Sequence, residues 1–254
     1  MIKFFRKIRK QLLKEKKFWN YLVYAIGEIV LVVIGILIAL WINNYNENIV
    51  KQDKEQIYLV GLKSEFQISK IKLEELIRVN KSNYNGAKQL IQYISNKNEP
   101  PTEAQLSKLL LNTFSSDISF NPNNSLLNEM VNSGSLKDIS NTELRKSLTN
   151  WISTLDNIAN QEHELRIQRE KIIDFFRVGN GNFRTILNHT SRFDAFEIPI
   201  TENNVSNLNL LDSTEFENNL LLFILTSHIT EESHYNPLMQ NLNAIMALIE
   251  KEIK

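Results

Sequence analysis

"AIGEIVLVVIGILIAL", residues 25–40, is the stretch that decides how this chain is read. It lies within a 22-residue run from Tyr21 to Ile42 in which Glu28 is the only charge. A helix rising about 1.5 Å per residue carries that run across roughly 33 Å, and the hydrocarbon core of a bilayer is about 30 Å thick. The run holds fourteen Leu, Ile or Val residues. Each favours insertion by roughly 0.3–0.6 kcal/mol, against a cost of about 2.5–3.5 kcal/mol for one central acid. Insertion wins, and Glu28 lies about two turns from the Tyr21 end, within reach of headgroups and basic residues. A cleaved leader would need small residues where "ALWINNYNE" (39–47) places bulky Trp41, so an uncleaved signal anchor is expected.

Charge sets the orientation. The first 17 residues, "MIKFFRKIRKQLLKEKK", carry eight Lys or Arg and one acid, Glu15. No basic residue follows the run until Lys51. The positive-inside rule then puts the N-terminus in the cytoplasm and everything after Ile42 across the membrane. Residues 1–20 are expected as a basic cytoplasmic segment, 21–42 as the span and 43–254 as an extracytoplasmic domain. The chain's 29 basic and 29 acidic residues cancel overall, but 21 basic face 28 acidic beyond residue 17. An acidic body argues against nucleic-acid binding, which needs a basic folded surface. The chain has no cysteine, which excludes a lipid anchor through Cys and thiol chemistry.

Glu28 has an ordinary reading, an acid near the interface paired with Lys16 or Lys17. It also has a sharper one. At about 100° per residue, Glu28, Val32, Gly35, Ala39 and Asn46 share one stripe, and Gly35 with Ala39 forms a small-xxx-small step that lets helices approach closely. Glu28, Gly35 and Ala39 are therefore the candidate packing residues, for a second copy or another membrane protein.

The first 47 residues, "MIKFFRKIRKQLLKEKKFWNYLVYAIGEIVLVVIGILIALWINNYNE", resemble a family of uncharacterised single-span membrane proteins of bacteria related to the flavobacteria. "FNPNNSLLNEMVNSGSLKDISNTELRKSLTNW" (120–151) is similar to that family's recurring pattern at Ser133, Gly134, Leu136, Ile139, Asn141, Leu144 and Arg145. Where members often have Gln-Ile-Asn-Asn-Trp after the span, this chain has "WINNYN" (41–46), with Trp41 and Tyr45 exchanging places. The resemblance implies a membrane-anchored, mostly helical domain, a cell with two membranes and hence a periplasmic location. It implies no activity.

Past the span the periodicity is helical. Steps of three and four from Leu59 to Ile94 meet eight apolar residues in eleven, with "NKSNYNG" (80–86) predicting a weak point or kink at Gly86. Thr102 is expected to cap a short helix after a Pro-Pro turn, and Ser125 another that Gly134 ends in the left-handed conformation. Ser140 with Glu143, and Thr214 with Glu217, fit capping boxes. A long helix from Asn141 runs through Leu144, Leu148, Trp151, Leu155, Ile158, Leu165, Ile172 and Phe176. Glu162 and Arg169 interrupt that seam, where charges are usually partnered across helices. "VGNGNF" (178–183) breaks it, one short strand is expected near 196–200, Leu220 to Leu225 reads as core, and Pro237 kinks or restarts the last helix.

No residue set converges on chemistry. "HITEESH" offers His228, Glu231, Glu232 and His234 at metal-like spacing, but without the HExxH order or further ligands. "NSGSL" is not a nucleophile elbow, and "GNG" at 179–181 is too short for a dinucleotide fingerprint. Arg177, Arg184 and Arg192 read as partners of surface acids. The expectation is an all-α protein with one N-terminal transmembrane helix and a bundle of long amphipathic helices. It acts without cofactor or metal as a periplasmic interaction or scaffolding module, not an enzyme. The bilayer and a homo-oligomeric or other membrane-protein partner are its contacts. The alternative is a ligand-sensing domain that signals through a membrane partner. An internal polar pocket would favour sensing, and a filled core with an apolar surface patch would favour docking.

Overall fold

The computed structural model describes residues 18–190 and 205–254. Every regular element among them is helical. The strand expected near 196–200 and the basic segment lie outside the described residues. The chain forms two compact units, one through Glu55 and one from Gln56 to Lys254. In the first, the described residues belong to helix α1, which extends as one element from Phe18 to Ser95.

The second unit is built on three long staves. They are the α1 residues from Gln56 onward, α4 (Thr142–Arg177) and the pair α6 (Thr214–Thr230) and α7 (Asn236–Glu252). The Gln56 side chain donates to the Glu252 carbonyl at 2.9 Å and accepts from the Lys254 N–H at 3.0 Å. Asn141, at the start of α4, donates to the Glu252 carboxylate at 2.7 Å. At the far end, Lys97 pairs with Asp212 just before α6. So α1 and α4 run one way, α6–α7 runs the other, and the chain must recross the bundle between α1 and α4. Two short helices, α2 (Glu103–Phe114) and α3 (Ser125–Asn132), carry it back, and α5 (Phe183–His189) follows α4.

Burial explains the packing. Leu59, Leu62, Phe66 and Leu73 of α1 face Leu148, Trp151, Ile158 and Leu165 of α4 and Leu238, Leu242 and Ile245 of α7 within one core. Each such side chain removed from water stabilises the fold by roughly 1.5–3 kcal/mol. Trp151 is fully buried, with Phe66 5.2 Å and Phe120 6.2 Å away between ring centroids. On α4 the last turn buries Phe175, while Phe176, expected in the seam, packs at the edge.

Several local expectations are corrected. Helix α1 passes through Gly86 without a break. The polar residues before it face inward: Asn80 is fully buried and donates to the Ser227 carbonyl at 3.0 Å, and Asn83 is buried as well. Gly86 is there for closeness, since a Cβ on it would overlap the Thr113 hydroxyl of α2. Thr102 caps α2 with a full capping box to Gln105, and Gly134 takes φ 72° after α3, both as expected. The other caps sit one residue away from the sequence reading. Asn141 caps α4 instead of Ser140, Ser213 caps α6 instead of Thr214, and Asn124 precedes α3, of which Ser125 is the first residue. Each pair of neighbours holds two capable side chains, and the register of the buried stripe decides which takes the position.

Leu220 and Phe223 are core, but Leu221, Leu222 and Leu225 of the same run are exposed. Pro237 does not split the last stave. A π-helical turn, Glu231–Tyr235, joins α6 to α7, with the Asn236 N–H bonded to the Glu231 carbonyl five residues back. Proline clashes with the carbonyl four residues before it in a regular helix, and a widened turn removes that conflict.

Gly86→Ala is expected to destabilise the domain by about 1–3 kcal/mol through overpacking against Thr113. Adding Thr113→Ala should recover part of that loss, measured as a double-mutant cycle from urea unfolding followed by tryptophan fluorescence.

Candidate functional site

The first candidate surface lies on α1. Its most apolar 18-residue window has a mean hydropathy of 2.7, and none of that window is buried within the protein. Among the described residues this is the one helix long and apolar enough to cross a membrane. Gly35 and Ala39 sit one turn apart, about 6 Å, and Glu28 about 10 Å before Gly35 along the axis. A methyl group added at Gly35 would meet nothing within 4 Å, Ala39 is exposed and Glu28 is half-buried. Gly35 and Ala39 thus form an open step whose floor is set by small side chains, with half-buried Glu28 two turns before it. Trp41 stacks on Tyr45 at 5.8 Å where the apolar run ends.

Within the second unit, three acids are buried, and each meets donors of the protein itself. Glu65 of α1 accepts from the backbone N–H groups of Leu126 at 2.7 Å and Leu127 at 3.3 Å, and so takes the place of a side-chain cap for α3. A carboxylate suits the positive end of a helix. Glu162 of α4 accepts through Oε1 from the Tyr235 hydroxyl at 2.8 Å and the Phe120 N–H at 2.9 Å. Burial pushes the Glu162 carboxyl above its ordinary range, and these two bonds and Arg166 pull against that rise. Burial, with Glu162 beside it, also raises the Tyr235 phenol. Arg169, the other charge in the α4 seam, donates through Nε to the Phe114 carbonyl at 2.9 Å and pairs with Glu170. Both seam charges are partnered across elements, as their spacing implied.

The cluster that looked metal-like in sequence is taken apart by the π-turn. Glu231 is 2 % exposed and pairs with Lys81 at 2.9 Å. That contact raises the Lys81 ammonium pKa. His228 lies edge-on to the Tyr84 ring, and His234 turns to an open groove. Among the described residues no three His, Asp or Glu side chains are grouped to hold a metal ion. The sequence reading missed Glu65 and Glu231 as interior residues, and their positions on the buried stripes of α1 and α6 were the available signal. Arg177 pairs with Glu170 and Asp174. Arg192 lies outside the described residues.

Among the concavities of the described residues, two lie beside α4, one with α7 and one with α5. A groove of about 770 Å³ between α4 and the start of α7 is lined by Asn157, Gln161, His163, Glu164, His234 and Asn241 among others. An apolar pocket of about 280 Å³ lies among α2, α4 and α5, walled by Leu111, Phe114, Ile173, Phe176, Phe183 and Ile186, with Arg169 at its edge. On α6, Leu221, Leu222, Leu225 and Ile229 form an exposed apolar stripe.

These features define a helical protein with one helix able to serve as a membrane anchor and a bundle whose buried acids Glu65, Glu162 and Glu231 each meet a partner within the protein. The chain belongs to the family described as "Family of unknown function (DUF6090)", whose model matches residues 28–175. The match runs from Glu28 to Phe175 and so includes most of the apolar run and helices α1 to α4. No curated protein and no solved structure matches the chain.

Glu162 supplies a pH test. Between the ordinary carboxylate pKa and its raised value in the fold, the native state holds a proton that the unfolded state has lost, so this group's contribution to stability falls as pH rises through that window. Glu162→Gln keeps an oxygen for Tyr235 and Phe120 without the charge. Its melting temperature is expected to exceed that of the natural protein by a margin that widens from pH 4 to pH 8; a constant margin would remove the charge as the cause.

Proposed function

We propose that this chain is a single-pass anchor of the bacterial inner membrane, with a cytoplasmic N-terminus and a periplasmic helical domain. The domain acts as an interaction or scaffolding module for other envelope components. The observation that carries this reading is the apolar run of α1 around Gly35 and Ala39, of whose most apolar 18 residues none is buried by the protein's own fold. Close approach at Gly35 and Ala39 brings a second helix near enough for van der Waals packing, and Glu28 supplies a polar contact to it. One contiguous buried core and the exposed apolar stripe on α6 support docking.

A second reading, ligand sensing, is favoured by the polar groove beside the π-turn, since π-turns recur at functional sites. A ligand there would touch both α4 and α7. In this reading a membrane partner relays the signal.

Two measurements bear on the preferred reading. A dual reporter fused after Lys254 is expected to be active only in the periplasm, and activity confined to the cytosol rejects the topology. Gly35→Leu combined with Ala39→Leu is expected to abolish crosslinked dimers in native membranes while leaving insertion intact; undiminished crosslinking rejects this face.

A further inference from the structure

The apolar pocket among α2, α4 and α5 is held open by contacts at both ends of α2. Its floor includes Leu110, Ile172 and Ile186, each at most 2 % exposed, and its rim holds Arg169 and the half-exposed Phe183. At the start of α2, the Glu103 carboxylate accepts from the Asn207 N–H at 3.0 Å. The Asn207 side chain in turn accepts from the Asn182 N–H at 2.6 Å and donates to the Asn182 carbonyl at 3.0 Å. Asn182 is the cap of α5, so this chain of bonds sets the spacing of α5 from α2. At the other end of α2, the Phe114 carbonyl accepts from Arg169 Nε of α4 at 2.9 Å. Between α4 and α5, Gly181 lets the backbone lie close over the Phe176 ring, since a Cβ there would come within 2.7 Å of it. Phe183 meets the same ring edge-on at 6.4 Å. Walls fixed at both ends do not collapse onto the space between them, and protein interiors rarely keep a void larger than a water.

Size and charge identify the ligand. The pocket holds about 280 Å³, close to double the roughly 150 Å³ of a cavity lined by Leu, Ile and Phe that admits benzene. It takes a body of on the order of ten non-hydrogen atoms. Among the described residues that line it, Arg169 alone is charged. Arg169 Nη1 pairs with Glu170 Oε1 at 2.9 Å, while Glu170 Oε2 pairs with Arg177 at 2.5 Å. Nη2 has no hydrogen-bond partner among the described residues. Glu170 stays paired with Arg177 when it gives up Arg169, and a partly exposed ion pair of this kind holds weakly. The Nη1–Nη2 edge then offers two parallel N–H donors, the geometry that takes a carboxylate through both oxygens. A neutral apolar molecule would leave that edge unused, and a cation would be repelled by it.

We propose that this pocket binds a small monocarboxylate with an apolar tail, of the size of a medium-chain alkanoate. The tail lies against Phe114, Ile173 and Phe176, and the carboxylate sits on Arg169. The site lies wholly within the second unit and apart from the polar groove beside the π-turn. It does not depend on how α1 sits in a membrane.

Octanoate is the probe and 1-octanol its uncharged counterpart. Full-length protein in lipid nanodiscs is dialysed to equilibrium against either radiolabelled compound at neutral pH, with empty nanodiscs as the blank. One octanoate per chain is expected, bound at least tenfold more tightly than 1-octanol. Ile173→Trp fills the pocket from a half-buried position and should abolish octanoate binding while circular dichroism stays unchanged. Arg169→Gln should weaken octanoate at least tenfold and leave 1-octanol within twofold. Octanoate uptake no greater than the blank overturns the proposal, and so do equal affinities for acid and alcohol. Undiminished octanoate binding in folded Ile173→Trp puts the ligand elsewhere and overturns it too. Equal losses of both compounds in Arg169→Gln would mean that Arg169 only holds α2 in place, which also overturns the proposal. The comparison of acid with alcohol uses the natural protein, so it decides the matter even if a variant fails to fold.

Discussion

Trp151 obliges three separate pieces of chain to meet. Its indole is fully buried, and an indole N–H taken from water needs an acceptor. Asn124 provides one at 3.1 Å, which withdraws that side chain from capping α3. The exposed helix end is then satisfied from another direction, by the Glu65 carboxylate one residue before Phe66, the ring that packs on Trp151. One turn further along α1, the Ser69 hydroxyl accepts from the Asn123 N–H at 2.9 Å. The returning connection between α1 and α4 is thereby fixed to both staves within a few residues, and the parallel arrangement of those staves depends on it.

The periodicity of apolar residues made the long helices legible, because a seam that recurs every three or four residues over 36 residues of α4 is hard to produce by any other structure. The starts of α2, α3, α4 and α6 were readable to within one residue, whereas the short helix α5 was not read at all. Where Asn and Ser stand side by side, as at 140–141, local chemistry permits either cap, and only the depth of Leu144 and Leu148 in the core selects one. Gly86 misled for a related reason. In an isolated chain glycine weakens a helix, but here it marks a close crossing of α2 that no local pattern records. That Glu28, Gly35 and Ala39 lie on one helix was legible, since their spacing falls within a single element. The buried acids were only half visible. Glu162 betrayed itself by interrupting a seam, whereas Glu65 and Glu231 have partners 61 and 150 residues away in sequence.

The interior charges bear on what the bundle is built to do. Glu65 meets two backbone donors, Glu162 a backbone N–H and a phenol, and Glu231 an ammonium at the surface. Leaving any of them unpartnered in a dry interior would be costly, so these acids tie the staves together at defined heights along the bundle. Such ties fix the register of helix against helix more sharply than leucine packing does, since a hydrogen bond tolerates far less sliding than an apolar contact. Helices tied at these heights hold their outward surfaces in register.

The π-turn at Glu231–Tyr235 amounts to one residue too many, absorbed without disturbing either neighbour. Leu220, Phe223 and Ser227 before it and Leu238, Leu242 and Ile245 after it all face the core. The bulge widens the helix between the two stretches. It also places Tyr235 inward to reach Glu162 and turns His234 outward. A chain shortened by a single residue there would close into an unbroken α-helix with its C-terminal leucines still in phase, and what it would forfeit is the turn's own reach, Tyr235 to Glu162 and Glu231 to Lys81.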